Sequence, residues 1–367
     1  MDKDKMIIDF HVLQTVPPSN INRDDTGSPK TAIYGGVQRA RVSSQSWKRA
    51  MREMFRDNVD ESKLGLRTKR IVEIVSNEIQ AKDSTLSSDD SFKKANDIIV
   101  DAGVKTKDME AQALFFISMT QAKALAEVAL SDYDDEKARK KAAKNALNRK
   151  ENSIDIALFG RMVADDPGLN ADASAQVAHA ISVHKVDNEY DFFTAVDDVK
   201  DRSGEAEDAG AGMLGTVEYN SSTLYRYATV FVNLLNDELA GDAAVTGEAV
   251  REFARAFITS MPTGKLNTFA NRTLPSAVLV TIRKDQPINL VGAFEEAVGS
   301  EKITWNSSKK LAKYASNVYD SFAAAPEKSF VIAPGDVADE FKGIGEVVNL
   351  DRLLEQLESE VAKRLGA

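Results

Sequence analysis

Val37-Gln38-Arg39-Ala40-Arg41-Val42-Ser43-Ser44-Gln45-Ser46-Trp47-Lys48-Arg49-Ala50-Met51-Arg52-Glu53-Met54-Phe55-Arg56 reads as a strand running directly into a helix. Trp47, Met51, Met54 and Phe55 recur at i, i+4, i+7 and i+8, one apolar stripe for a core, and leave Lys48, Arg49, Arg52 and Arg56 on the other side. Ser43, Ser44, Gln45 and Ser46 stand at the helix start, where free N–H groups and the helix dipole favour a phosphate. In the extended stretch before them Arg39 and Arg41 share one face, and Gly35-Gly36 lets backbone approach a ligand closely. From Asn20 to Arg52, Arg23, Lys30, Arg39, Arg41, Lys48, Arg49 and Arg52 oppose only Asp24 and Asp25, a local charge of +5 in a chain of formal net charge −10. Such an island suits a polyanion; the plainer alternative is a solvated basic helix face capped by an ordinary serine.

The rest of the composition sets wide limits. A chain of 367 residues with 43% hydrophobic content is long enough for one large or two smaller globular units. With no cysteine, disulfides, thiolate metal sites and thiol nucleophiles are excluded, which fits a reducing cytoplasm. The charged start Met1 to Lys5 lacks a secretory pattern and no apolar run reaches membrane-spanning length, so a soluble, cytoplasmic protein with no membrane partner is expected. The acidic balance argues against indiscriminate nucleic-acid binding over the whole surface.

Working outward, Ile8, Phe10 and Val12 alternate with Asp9 and His11 as in a half-buried strand. From about Asp60 to Phe159 the periodicity is helical, including Ala111 to Ala129 and the basic run Lys137 to Lys150. Val177 to Val186 is extended, Asp187 to Asp208 is an acidic excursion ending at Gly210 to Gly212, and Leu224 to Leu234 is a strand buried on both faces. A helix over Thr246 to Ser260 and a strand over Ser276 to Arg283 follow, then helices at Leu290 to Val298, Lys309 to Phe322 and Leu350 to Arg364. Removing the two excursions leaves βαββαβ, so the expected fold is α+β with a ferredoxin-like, RRM-like core.

Several motifs in one order resemble the CasC family: Asn22-Arg23-Asp24-Asp25, Ala32-Ile33-Tyr34-Gly35-Gly36, Arg41 through Arg52, Asp155-Ile156-Ala157-Leu158-Phe159-Gly160-Arg161-Met162, Ala178-His179-Ala180-Ile181, Asp191 through Asp198, and Tyr225-Arg226-Tyr227-Ala228. That family is the repeated RNA-binding backbone subunit of the type I-E CRISPR surveillance complex, Cascade. The resemblance runs from the first strand to about Ile282 and is weak in the helical block. It implies a right-hand shape: a βαββαβ palm over residues 1–58, 176–186 and 224–367 with the C-terminal helices, helical fingers inserted over 59–175, and a β-hairpin thumb over 187–223.

The resemblance implies antiviral defence by a non-catalytic subunit, without cofactor or bound metal, that polymerises with neighbouring copies along a guide CRISPR RNA. Its other implied partners are the remaining Cascade subunits and, through the guide, target DNA. Carried over position by position, the RNA-binding residues are Asn22, Arg23, Lys30, Arg41, Ser43, Ser44, Gln45, Ser46, Lys48, Arg49, Arg52 and Arg161. Met162, Phe193 and Thr194 fall on the wedge that displaces a guide base at regular intervals, where apolar contact replaces lost stacking. Glu205, Glu207 and Asp208 make the thumb tip acidic, so the tip is expected to face protein or solvent.

Other candidates have plainer readings. His11, His179 and His184 lack metal-binding helical spacing and are read as structural. Asp187, Asp191, Asp197 and Asp198 are the basis of an alternative function, a magnesium-dependent ribonuclease of the related CRISPR backbone type. Lys137 to Lys150, seven basic residues without an acid, is either a DNA-facing helix or a solvated one. No aromatic ribonucleoprotein motif lies on the expected sheet, which points to backbone gripping independent of sequence, with reading left to base pairing.

Overall fold

A computed structural model describes residues 5–148, 151–163, 166–195 and 213–366. In chain order the first elements are β1 Ile7–Ser19, β2 Thr31–Tyr34, β3 Val37–Val42 and α1 Ser44–Asn58. The insertion holds β4 Gly65–Thr68, α2 Ile71–Lys82, α3 Ser88–Asp101, β5 Thr106–Lys107, β6 Glu110–Ala111, β7 Phe115–Ser118, α4 Met119–Leu130, α5 Glu136–Leu147 and α6 Ile154–Phe159. Then come β8 Ala175–Val177, β9 Ala180–Ser182, β10 Glu189–Ala195, β11 Met213–Phe231, α7 Val232–Glu238, α8 Ala243–Thr259, α9 Leu266–Phe269 and β12 Ala277–Arg283. The chain ends with α10 Ile303–Ser321, β13 Lys328–Ile332, α11 Asp336–Asp339, β14 Glu346–Val347 and α12 Leu350–Leu365.

One mixed sheet organises the molecule, in the order β14-β13-β12-β1-β11-β9-β3-β2, with β8 and β10 also paired to β11. Every pairing in it is antiparallel except β13 with β14. β1 sits at its centre, and the two-residue period sends Ile8, Phe10 and Val12 to one face and Leu13 to the other. On the first face Met51 and Phe55 of α1 pack with Phe253 and Phe257 of α8 and Leu353, Leu354 and Leu357 of α12. The opposite face is covered by Leu290, Phe294 and Phe341 and by Leu311, Ala312 and Ala315 of α10. The insertion has its own core, with Ile71, Val75, Ile79, Ile98, Ile99, Ile117, Leu125 and Leu147.

Sequence periodicity located α1 and α8 within a few residues, and it missed several smaller features. β13 lies where no strand was expected, Leu290–Phe294 is a short 3-10 turn rather than an α-helix, and α10 begins at Ile303. The strand expected to begin at Leu224 is the second half of β11, which starts in the hairpin with β10. Gly35 and Gly36 take φ of 59° and 77° at the β2–β3 turn. The close approach there is to the Glu295 carbonyl, 1.7 Å from where a Cβ on Gly35 would stand, so the expectation of ligand approach is corrected to backbone packing.

The face of β1 under α10 buries a polar network. The Tyr227 hydroxyl donates to Asp9 Oδ1 (2.8 Å), Ile288 N–H donates to Asp9 Oδ2 (2.9 Å), and His11 Nδ1 lies 2.9 Å from the Tyr225 hydroxyl. Burial raises the Asp9 carboxyl from 3.8 to about 6 and pushes His11 from 6.5 down to about 3. Asp9 therefore contributes stability that is lost as pH rises from 3.8 toward 6, and His11 contributes stability that is lost as pH falls from 6.5 toward 3. Their slopes oppose each other in the overlap. In urea melts over that range, Asp9→Asn should add a slope of about 1.4 kcal/mol per pH unit relative to the parent. Parallel profiles for parent and variant would refute this assignment.

Candidate nucleic-acid interface

The basic island folds as a unit because its loop and its helix cap each other. Asn22 Oδ1 accepts from Ser43 N–H (2.8 Å), and Ser43 as N-cap of α1 accepts from Ser46 N–H (3.3 Å). Lys30 N–H donates to the Asn22 carbonyl (2.9 Å), and Arg41 N–H donates to that of Lys30 (2.8 Å). Asp24, exposed on this loop, is tied to its own turn: its Oδ1 takes the Thr26 hydroxyl (2.8 Å) and the N–H groups of Thr26 and Ser28. The Thr26 hydroxyl is the main reason its carboxyl lies below the ordinary range.

Three cations converge beside this cap. The Arg41 guanidinium reaches His179 Nδ1 (3.1 Å) and the Thr31 carbonyl (3.1 Å). Burial, then Arg41, Lys30 and Lys48, lower the His179 pKa. Half-buried Lys48 is itself lowered by desolvation and then by Arg67. Among the described residues neither Lys30, Arg41 nor Lys48 forms an ion pair. Ser44, Gln45 and Ser46, at least partly exposed, follow on the first turn of α1.

Next to this cluster a groove of about 630 Å³ runs between the 21–27 loop, α1 and the Pro262 to Lys265 turn. Arg23, Ser46, Arg49 and Lys265 line it together with Asp24, Asp25 and Glu53. Arg49 is exposed and pairs with Glu53 at 2.9 Å, one turn along α1. Lys265 and Arg67 were not foreseen: Lys265 stands apart from other cations, Arg67 belongs to the run Arg67-Thr68-Lys69-Arg70 inside the inserted block, and the fold brings them here.

Two expected contacts belong to the interior instead. Arg161 is 5% exposed, and its guanidinium donates to the carbonyls of Leu169 (2.9 Å), Phe116 (3.1 Å) and Leu147 (3.0 Å) and to Gln121 Oε1 (3.0 Å). Arg52 packs over the Phe116 ring and pairs through Nε with buried Asp155 (3.3 Å). Arg39, expected to share a ligand-facing surface with Arg41, is fully buried and donates to Tyr34, Ser182, Phe294 and Glu295 carbonyls.

The wedge positions are exposed but are not one surface. Met162 is 85% exposed. Phe193 and Thr194 are neighbours on β10 and so point to opposite faces of the hairpin, Phe193 against Gly215 of β11. Tyr190 and Phe192, 68% and 65% exposed, share the face of Thr194 and were not anticipated. Glu205, Glu207, Asp208, Asp197 and Asp198 lie outside the described residues, and Asp187 pairs with Lys185 (3.0 Å). Along α5, Lys140 pairs with Glu136, Arg139 with Asp101 and Lys144 with Asp166, while Arg149 and Lys150 lie outside the described residues. His11 is buried and His184 Nε2 accepts from Thr223 N–H (3.0 Å), both structural as expected.

A family model described as CT1975-like protein matches residues 8–356. The chain belongs to the CT1975-like family. Two solved structures are similar to this chain. A chain of a "CRISPR RNA-guided surveillance complex, pre-nicking" is 32% identical with a TM-score of 0.79, over 97% of this chain and 100% of that one. A chain of a second "CRISPR RNA-guided surveillance complex" is 28% identical with a TM-score of 0.67, over 95% of this chain and 99% of that one. Comparison with curated proteins gave no match. The CT1975-like match takes in the whole basic site and the helical insertion. Among the described residues no helix is long and apolar enough to cross a membrane.

Proposed function

We propose that this chain is a CasC-type, type I-E backbone subunit of a Cascade complex in antiviral defence: a non-catalytic, cytoplasmic protein that polymerises with its own copies along a guide CRISPR RNA. It grips the guide's backbone without reading sequence, kinks it with the β10–β11 hairpin, and leaves target DNA to base pairing, beside other Cascade subunits. The observation that carries this reading is the group Lys30, Arg41 and Lys48, without an ion-pair partner among the described residues, gathered at the Ser43 cap of α1. Uncompensated cations at a helix N-terminus are suited to phosphate. The similarity to chains of CRISPR RNA-guided surveillance complexes supports it. A ferredoxin-like palm fits the order β12-β1-β11-β8, with α1 and α8 on one face.

The test uses guide-length single-stranded RNA and fluorescence anisotropy across a salt series. The variant Lys30→Gln, Arg41→Gln, Lys48→Gln should bind about 100-fold more weakly near 0.1 M salt, with the slope of log K against log salt shallower by about 2. Two unrelated RNA sequences should bind the parent alike. A folded triple variant with parental affinity and slope would overturn the reading.

A further inference from the structure

The α1 site occupies one face of the sheet, and a second basic strip lies on the other, along α10. Lys302, Trp305, Lys309 and Lys313 stand at i, i+3, i+7 and i+11, which places them on one side of the helix. The opposite side is used up: Ser307, Ser308, Leu311, Ala312 and Ala315 are buried. Lys302, Lys309 and Lys313 are exposed, and among the described residues none has a carboxylate partner, while their neighbour Lys310 is neutralised by Glu296 at 3.1 Å. Lys309 Nζ lies 5.0 Å from the centre of the half-buried Trp305 ring.

In a protein of net charge −10, three unpaired lysines flanking a tryptophan make a local anion-attracting strip with a stacking platform in it. The start of α10 also touches β1 near the loop of the site already described. The Thr304 hydroxyl lies 3.3 Å from that of Thr15, near the end of β1. β1 ends at Ser19, and the chain passes directly into the loop that bears Asn22 and Arg23.

We propose that this face of α10 is a second nucleic-acid contact, with Lys302, Lys309 and Lys313 on successive phosphates of a phosphodiester strand and Trp305 against a base or sugar. The inference rests on the RNA-binding reading above. Its occupant is the guide RNA strand itself, whose phosphates complement the unpaired lysines.

Fluorescence gives a local readout, because the chain has two tryptophans and Trp47 is 1% exposed. Titrating guide-length single-stranded RNA should quench Trp305 emission, and quenching should vanish in Trp305→Phe. A change with RNA alone assigns the guide; a change only when complementary DNA is added would overturn the guide as the strand on α10. The variant Lys302→Gln, Lys309→Gln, Lys313→Gln should lower the salt slope for that strand by about 2, at about 0.7 per lost contact.

RNA binding that depends on Lys30, Arg41 and Lys48, with Trp305 emission and the salt slope untouched by the α10 changes for RNA and hybrid alike, would overturn this proposal and leave the first reading standing. No binding of RNA by the parent would overturn both.

Discussion

Replacing Arg161 by alanine is expected to destabilise the protein by about 4 kcal/mol or more, and to do so through the inserted helical unit rather than through any ligand. The guanidinium joins β7 at Phe116, the start of α4 at Gln121, the end of α5 at Leu147 and the turn at Leu169. Removing it takes the guanidinium from the Leu169 and Phe116 carbonyls, at roughly 1–3 kcal/mol for each buried acceptor left unpaired, and strips one of two donors from Gln121 Oε1 and the Leu147 carbonyl, which keep the Ser118 N–H and the Gln121 amide. The side chain is 5% exposed, so water can replace few of those bonds. Desolvation already lowers its pKa to about 10 against a smaller opposing pull from the Glu238 carboxylate, and the direct hydrogen bonds to the charge come from carbonyl dipoles. Lysine should recover only a small part of the loss, because one ammonium cannot span acceptors from four segments. Urea denaturation, with hydrogen exchange followed at β7 and α4, measures both the size and the place of the effect. A variant of parental stability that has lost RNA affinity would restore Arg161 to the contact surface.

That case shows where reading the sequence stops. The Arg161-Met162 motif has the composition of a nucleic-acid contact, but the carbonyls that consume the guanidinium come from residues 116, 147 and 169. Nothing local announces them. The same holds in β3, where the two-residue period puts Arg39 and Arg41 on one side. Arg39 is covered by the segment around Phe294, about 255 positions away in the chain, and Arg41 is left to the site. What was legible depended on patterns carried by the residues themselves: the α1 stripe of Trp47, Met51 and Phe55, the alternation in β1, and a run of cations with too few acids. Strand β13 was missed because Lys328–Ile332 is only five residues long, between segments of helical period, and its pairing partner β12 is remote. Phe193 and Thr194 were grouped with Met162 on the resemblance alone, although adjacency in a strand separates side chains.

The last strong expectation concerns how α1, which presents the site, is fixed to the sheet. Arg226 of β11 is 1% exposed and has no carboxylate partner among the described residues. Its guanidinium donates to Gln14 Oε1 (2.6 Å) and to the Phe257 carbonyl, and lies 3.7 Å from the Trp47 ring centre and 4.7 Å from that of Phe257. The charge is thus clamped between an aromatic residue of α1 and one of α8. Trp47→Ala should cost about 3–5 kcal/mol through lost burial and the resulting cavity. Arg226→Ala should cost about as much, since it leaves Gln14 and the Phe257 carbonyl without a donor. Because ring and guanidinium form one unit, the double variant should fall short of the sum by about 1–2 kcal/mol. A double-mutant cycle in urea measures this, with RNA affinity of each folded variant read alongside. Additive losses would mean that Trp47 is held by its apolar neighbours alone. A coupling of the expected size, with RNA affinity falling in the single variants, would identify this buried pair as the support that orients Ser43, Lys48 and the rest of the helix start toward the ligand.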